Sequence, residues 1–418
     1  MGGSLLLVPL SLHYLGETRY GIWLTISSVV TWFSVLNIGL GNGMRNKLAK
    51  SLSSEDYELA KEYVSTTYAA ISAIMVVFLV IFLIANNFIN WVSILNAPSQ
   101  FKSELSLLAI IVFSSFAIRM VMQLVTTIAI ATQEPAVSNV INLINKLLIL
   151  LGIFILYKIK LTSLVLFGLL YMAIPLVILL GASFYFFTGI YSNLRPSYRS
   201  IKPELIKDLL NLGTQFFVLE VGAIILMTTD NVIITQLFRP SEVTKYQIVN
   251  KYFSFVLTFF IVMISPLWSA VTEAFHEKDF NWIKRTINNY LKVIAGLSIV
   301  VILMFVLSNR VYNLWLGYNI HIPILLSGLF AVYILLRIIS SLFTNFVNGT
   351  GYLRISLATS LFAIILNVPL SILFSKYVFN SSAGVIFATI ISMLLSVVFK
   401  SIQYYKIVND KAEGIWAK

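Results

Sequence analysis

The chain alternates long apolar runs with short polar clusters, and the runs have the length of membrane helices. About 20 mostly apolar residues in a helix cross a hydrocarbon core of roughly 30 Å. Eleven runs meet that requirement, near 20–42, 62–87, 104–131, 136–157, 162–190, 207–236, 243–270, 287–309, 322–349, 353–375 and 382–405. Ahead of them, residues 5–12 supply half a span, contain Pro9 and end at His13-Tyr14-Leu15-Gly16. This predicts either a short first helix or further residues upstream of Met1. The longest polar connections, 47–62, 195–208 and 273–289, are too short for a globular domain. The pattern predicts an all-α polytopic membrane protein of about 12 transmembrane helices, the first of them truncated.

The second half of the pattern echoes the first. Residues 119–156 lie over 337–374 at a constant offset of 218 without a gap, placing Arg119 on Arg337 and Thr132 on Thr350. Glu17-Thr-Arg-Tyr20 precedes a span as Glu242-Val-Thr-Lys-Tyr246 does. Two six-helix bundles are therefore expected, 1–191 (first helix partial) and 205–406, joined by a basic linker at 192–204 and followed by a tail at 407–418. An even number of spans per half makes the repeat a parallel one, with a cavity expected between the halves.

Composition sharpens this reading. Of 418 residues 59% are hydrophobic and 11% charged, with a mean hydropathy of +0.90; soluble domains carry about 25% charged residues. A water-soluble enzyme is excluded. The net charge of +12 comes from 29 Lys and Arg against 17 Asp and Glu. One set of alternate connections holds about twice the Lys and Arg of the other, which orients the C-terminus to the cytoplasm. Charge facing an anionic leaflet accounts for much of the excess, so nucleic acid is not the expected partner. With no cysteine and three scattered histidines, no thiolate chemistry, disulfide or metal cluster is expected, and no cofactor is indicated.

Cations inside the spans carry the candidate chemistry. A charged side chain at mid-bilayer costs about 2.5 to 3.5 kcal/mol on insertion scales, so it normally faces protein or water. Arg119, Lys146, Lys251, Lys292 and Arg337 lie in the spans; Lys292 is near enough to an end to snorkel. Arg119 continues a polar stripe with Ser115, Gln123 and Thr126 or Thr127, and Arg337 one with Ser341, Thr344, Asn345 and Asn348. The stripes read either as buried polar packing or as a cationic cavity for an anionic substrate. Arginine suits phosphate because its planar fork donates two hydrogen bonds to a pair of oxygens. Glu220 and Asp230 are the in-span carboxylates and the candidate proton-coupling groups. For Asp230, an ion pair with Lys251 is the simpler reading. Asn37, Asn42 and Asn250 serve equally as cavity lining or as helix-packing groups. Gly39-Leu-Gly41-Asn-Gly43 is no dinucleotide fingerprint, because its third glycine comes one place early, and is expected to end or bend a helix at the cytoplasmic mouth, beside Asn42 and Arg45. No P-loop signature is present. Tyr20, Trp23, Trp91, Tyr246, Trp268 and Trp315 read as interfacial anchors.

Tyr14-Leu-Gly-Glu-Thr-Arg-Tyr-Gly-Ile-Trp23, continuing to Leu36-Asn-Ile-Gly-Leu-Gly-Asn-Gly-Met-Arg45-Asn-Lys-Leu-Ala49, resembles the polysaccharide biosynthesis family. These are the Wzx-type O-antigen flippases of the multidrug/oligosaccharidyl-lipid/polysaccharide exporter superfamily. Thr229-Asp230-Asn231 and Pro266-Leu-Trp-Ser-Ala-Val-Thr-Glu273-Ala fit the same family. The resemblance implies a pair of six-helix bundles in a bacterial or archaeal cytoplasmic membrane. It implies movement of undecaprenyl-diphosphate-linked sugar repeat units to the outer leaflet by alternating access. Membrane lipids, a polysaccharide polymerase and chain-length machinery would be its further partners. On this chain the cations placed to meet the diphosphate are Arg119, Arg337, Lys146 and Lys251, with Gln123 and Asn345 beside them. A drug/cation antiporter of the same fold should be carboxylate-rich in its spans. A peptidoglycan-precursor flippase usually has more helices. A membrane glycosyltransferase or polymerase would show a large outer loop, and a scaffold would not need mid-bilayer arginines.

Overall fold

The computed structural model describes residues 2–160, 162–210, 228–317 and 320–417. Among these the fold is all helix, and nine helical segments are long and apolar enough to cross a membrane. The chain divides into two compact units, Gly2–Ile224 and Ile225–Lys418.

The first unit contains α1 (Gly2–Trp32), α2 (Val35–Ser53), α3 (Tyr57–Asn86), the single turn α4 (Trp91–Ile94), α5 (Lys102–Met122), α6 (Leu124–Ala131), α7 (Pro135–Ile159), α8 (Leu164–Thr188) and the short α9 (Leu205–Leu210). Local chemistry sets these limits. Asp56 accepts the Leu59 amide at 3.0 Å and Ser163 the Leu166 amide at 3.2 Å, each relieving a donor that a helix start leaves unpaired. Pro135 opens α7 at a position where its missing N–H is no loss. Helix α5 packs against α3 and α8, α7 against α1 and α8, and α2 against α3, α6 and α9. Between membrane helices, shape and polar bonds hold the contacts, since lipid is as apolar as leucine. Phe113 of α5 stacks on Phe82 of α3 at 4.3 Å between ring centroids, a pair contributing roughly 0.5 to 1.5 kcal/mol.

Three features depart from the sequence expectation. The half-span at residues 5–12 runs on into the next helix as α1, bent at Gly16, whose φ of 74° and ψ of 169° leave the helical region. The span expected at 20–42 breaks instead at Phe33-Ser34, where α1 ends and α2 begins. The cluster Gly39–Gly43 neither ends nor bends a helix; it lies inside α2. Gly43 serves close approach, because a Cβ there would collide with the Leu209 carbonyl of α9.

The second unit contains a helical stretch at 228–237, then α10 (Pro240–Ile264), α11 (Leu267–His276), α12 (Phe280–Leu316), α13 (Ile324–Thr350), α14 (Arg354–Leu373), a π-helical turn (Phe374–Val378) and α15 (Ala383–Val408). Helix α13 packs against α10, α11, α12 and α15, and α14 lies along α15. The offset seen in the sequence survives in the backbone. Gln133 after α6 and Gly351 after α13, 218 residues apart, both have positive φ, 63° and 75°. In the first unit α5 and α7 both pack on α8; in the second α13 and α14 both pack on α15.

Candidate functional site

In the first unit the last turns of α1, the end of α5 and the first half of α8 surround a cavity of about 310 Å³. Trp23, Ser27 and Thr31 recur every four residues and so line one face of α1. Opposite them stand Arg119 and Gln123 of α5 and Tyr171 of α8. Arg119 is the one charged residue of this lining, and its guanidinium lies within electrostatic reach of the Tyr171 hydroxyl. The break between α5 and α6 falls at Gln123, whose carbonyl accepts from Thr126 Oγ1 at 2.7 Å and whose amide donates to Met120 Sδ at 3.2 Å. An arginine exposed to an open cavity has donors to spare, which is how a bidentate anion site is built.

The second unit places Arg337 on the face of α13 that also carries Tyr333 and Thr344. Facing it from α15 is Lys400, only 5% exposed, whose Nζ donates to Thr344 Oγ1 at 3.0 Å. Lys400 and Arg337 are close enough to repel one another. Helices α12 to α15 contain no Asp or Glu, so no carboxylate from these four helices offsets the pair. Nearby, Asp230 is 6% exposed; its Oδ2 accepts from the Tyr246 hydroxyl at 2.6 Å, while its Oδ1 has no hydrogen-bond partner. Tyr333 lies within electrostatic reach of both Asp230 and Arg337, linking carboxylate and cations. A polar ladder follows along α10: Gln247 donates to Asn231 at 2.7 Å, Asn250 to Gln247 at 3.1 Å and Ser254 to Asn250 at 3.1 Å.

The expected residues thus separate. Arg119 and Gln123 share one cavity. Asn345 spends a donor on its own helix, at the Ser341 carbonyl 2.9 Å away, and is half-buried with Arg337. Lys146 on α7 and Lys251 on α10 are exposed, as are Asn42 and Arg45 on α2. Glu220 lies outside the described residues. Lys400 is the residue that sequence reasoning missed. The signal was present: Thr389, Ser392, Ser396, Lys400 and Gln403 repeat every three or four residues on α15, as the stripes on α5 and α13 do.

Comparison with known proteins identifies the family and the fold. A family model described as polysaccharide biosynthesis protein matches residues 2–272, and a MatE model matches 221–373. A candidate O-antigen transporter of Salmonella typhi is 21% identical over 85% of this chain and 81% of its own length. A candidate O-antigen export protein of Yersinia pseudotuberculosis is 22% identical over 83% and 79%. Among solved structures, an inward-facing multidrug resistance MATE family transporter of the MOP superfamily superposes with a TM-score of 0.83 at 15% identity, covering 98% of this chain and 95% of that one. A MOP superfamily transporter from Pyrococcus furiosus, described as having a binding pocket of reversed polarity, superposes at 0.63 and 15% identity over 99% and 95%. The fold is that of the MATE transporters, and because the family model spans well over half of its length, the chain belongs to the polysaccharide biosynthesis protein family.

Proposed function

We propose that this multi-pass membrane protein flips polyprenyl-diphosphate-linked oligosaccharide repeat units from the cytoplasmic to the outer leaflet by alternating access. In this reading two six-helix halves, 1–191 and 205–406, lie in the cytoplasmic membrane with the C-terminus inside. The cargo is handed to polysaccharide polymerase and chain-length machinery, and the protein itself makes or breaks no bond. The observation that carries it is the sign of the charge within the helices: Arg119 as the one charged residue lining its cavity, and Arg337 beside the buried Lys400 on helices without a carboxylate. Such groups favour a diphosphate head and reject organic cations. A drug/cation antiporter of the same fold draws its support from the MatE match and from Asp230. That carboxylate is 6% exposed and engaged by Tyr246.

The test is leaflet-resolved labelling of lipid-linked oligosaccharide in cells, comparing wild type with Arg119→Ala, Arg337→Ala and the double variant at matched membrane levels. Loss of a hydrogen bond to a charged group is worth about 1.5 to 3 kcal/mol. Each single variant should therefore slow translocation roughly 10- to 150-fold, with substrate collecting in the cytoplasmic leaflet. An unchanged leaflet distribution in cells lacking the whole protein would refute the proposal.

A further inference from the structure

The interface between α14 and α15 buries a run of polar groups. Asn367, Ser371 and Ser375 on one side, and Thr389, Ser392, Ser396 and Lys400 on the other, are all at most 9% exposed. Some of these groups pair across the seam. Asn367 Nδ2 donates to Thr389 Oγ1 at 3.1 Å, and the Thr359 and Ser396 hydroxyl oxygens lie 3.3 Å apart. Others find nothing: Asn367 Oδ1 and the hydroxyls of Ser371, Ser375 and Ser392 are buried without a hydrogen-bond partner. In hydrocarbon each such group costs several kcal/mol, so the orphaned atoms of one continuous seam call for a common partner. Small hydroxyl-bearing residues used purely as packing would satisfy themselves on their own helix, as Thr359 does at the Ile355 carbonyl, 2.8 Å away.

The seam also has two distinct ends. At one, Ser375 sits in the π-helical turn Phe374–Val378, a wide helical geometry that frees backbone groups and is frequent at functional positions. At the other, Lys400 reaches Thr344 and lies near Arg337. The elements packed on α15 present cations only: Arg337 on α13, Arg354 at the start of α14, Lys376 in the π-helical turn at the far end, and Lys284, Arg285, Lys292 and Arg310 on α12; the turn Gly414–Ala417 carries no charge. A buried ammonium in that company needs hydration.

We propose that the α14–α15 seam holds a file of water molecules that joins the Ser375 end of the bundle to Lys400, so that Lys400 exchanges its proton with bulk water along this route. The file supplies the acceptors and donors that the seam lacks, one water typically making about three hydrogen bonds to buried polar groups. The presence of water does not depend on the transported cargo. The use of Lys400 in coupling rests on the flippase reading.

The natural absence of cysteine makes the test direct. Single variants Ser371→Cys, Ser375→Cys and Ser392→Cys are treated with aqueous Ag⁺, which is of water-like size and reacts with hydrated thiolate, and the remaining free thiol is counted after denaturation. Ala109→Cys, at a fully buried position on α5 of the first unit, is the dry control. Reaction at least 10-fold faster at the three serine positions than at the control is expected; equal rates would overturn the water file. A second arm replaces Asn367 with Leu and Ser371 with Val and measures translocation in vesicles under an imposed pH gradient. Loss of the response to the gradient, with translocation retained, supports the proton route. An unaltered response in a plugged seam overturns that route. The leaflet assay of the preceding section fails separately if the cargo assignment is wrong.

Discussion

The Asp230–Tyr246 pair gives the cleanest physical test of the second unit. Tyr246→Phe removes one hydroxyl and keeps the ring that packs edge-on against Phe330 at 4.8 Å between centroids. The hydroxyl is the donor to Asp230 Oδ2 at 2.6 Å, and Oδ1 has no partner to make up the loss. The variant therefore leaves a carboxylate 6% exposed with both oxygens unpaired. A hydrogen bond to a charged group contributes about 1.5 to 3 kcal/mol. For a folding unit of 150 to 250 residues each kcal/mol moves the Tm by about 2 to 4 °C, so a fall on the order of 3 to 12 °C is expected. Asp230→Asn keeps an acceptor for Tyr246 and removes the charge, and should be neutral or stabilising. In that background Tyr246→Phe breaks a bond between neutral groups, worth about 0.5 to 1.5 kcal/mol. The double-mutant cycle should thus show coupling on the order of 1 kcal/mol. The assay is thermal unfolding of all four proteins in one detergent. A Tyr246→Phe protein within a degree of wild type, together with strict additivity in the cycle, would show that this contact does not stabilise the unit.

Lys400→Met should reduce translocation more than Lys400→Arg at equal membrane levels, because arginine keeps the charge beside Arg337; equal losses would make Lys400 a packing residue. Gly43→Val should destabilise the first unit by about 1 to 3 kcal/mol through overpacking against α9, read as a lower Tm. Asp208→Asn should change stability by less than about 1 kcal/mol, since its 3.5 Å bridge to Lys47 is partly exposed to solvent. At the α6–α7 turn, burial, opposed by the Thr132 hydroxyl and reinforced by the Glu134 carboxylate, pushes the Tyr191 phenol up to about 12 from its ordinary 10.0. The stabilisation this represents is complete below pH 10 and is lost as pH rises toward 12. Wild type minus Tyr191→Phe stability should therefore stay flat from pH 7 to about 9.5 and shrink above pH 10, as urea titrations at each pH would report.

How far the sequence could be read depended on what each residue answers to. Helices answer to the run of apolar residues around them, so α3, α7, α8, α13 and α15 fall close to where the hydropathy pattern places them. The break at Phe33-Ser34 interrupts a run with no Pro or charge to announce it, and the Gly39–Gly43 cluster resembles a helix end while serving, at Gly43, as a contact surface. The Gly43 contact depends on a partner helix that no local pattern contains. The cations show the same division more sharply. Distance along a span from its polar end is a fair guide to depth for an isolated helix, and by that measure Lys400, two turns before the end of α15, belongs to the membrane surface. In the bundle it meets Thr344 of α13 and is 5% exposed, while Lys146 and Lys251, nearer the middle of their helices, are exposed. Periodicity carried the information that position did not. Arg119, Arg337 and Lys400 each stand in a stripe of polar residues at helical spacing, and such a stripe records a shared environment along one face of a helix. A charge inside a stripe has company that can hydrate or bind with it, which makes the stripe a better pointer to a membrane-buried site than the depth of any single charge.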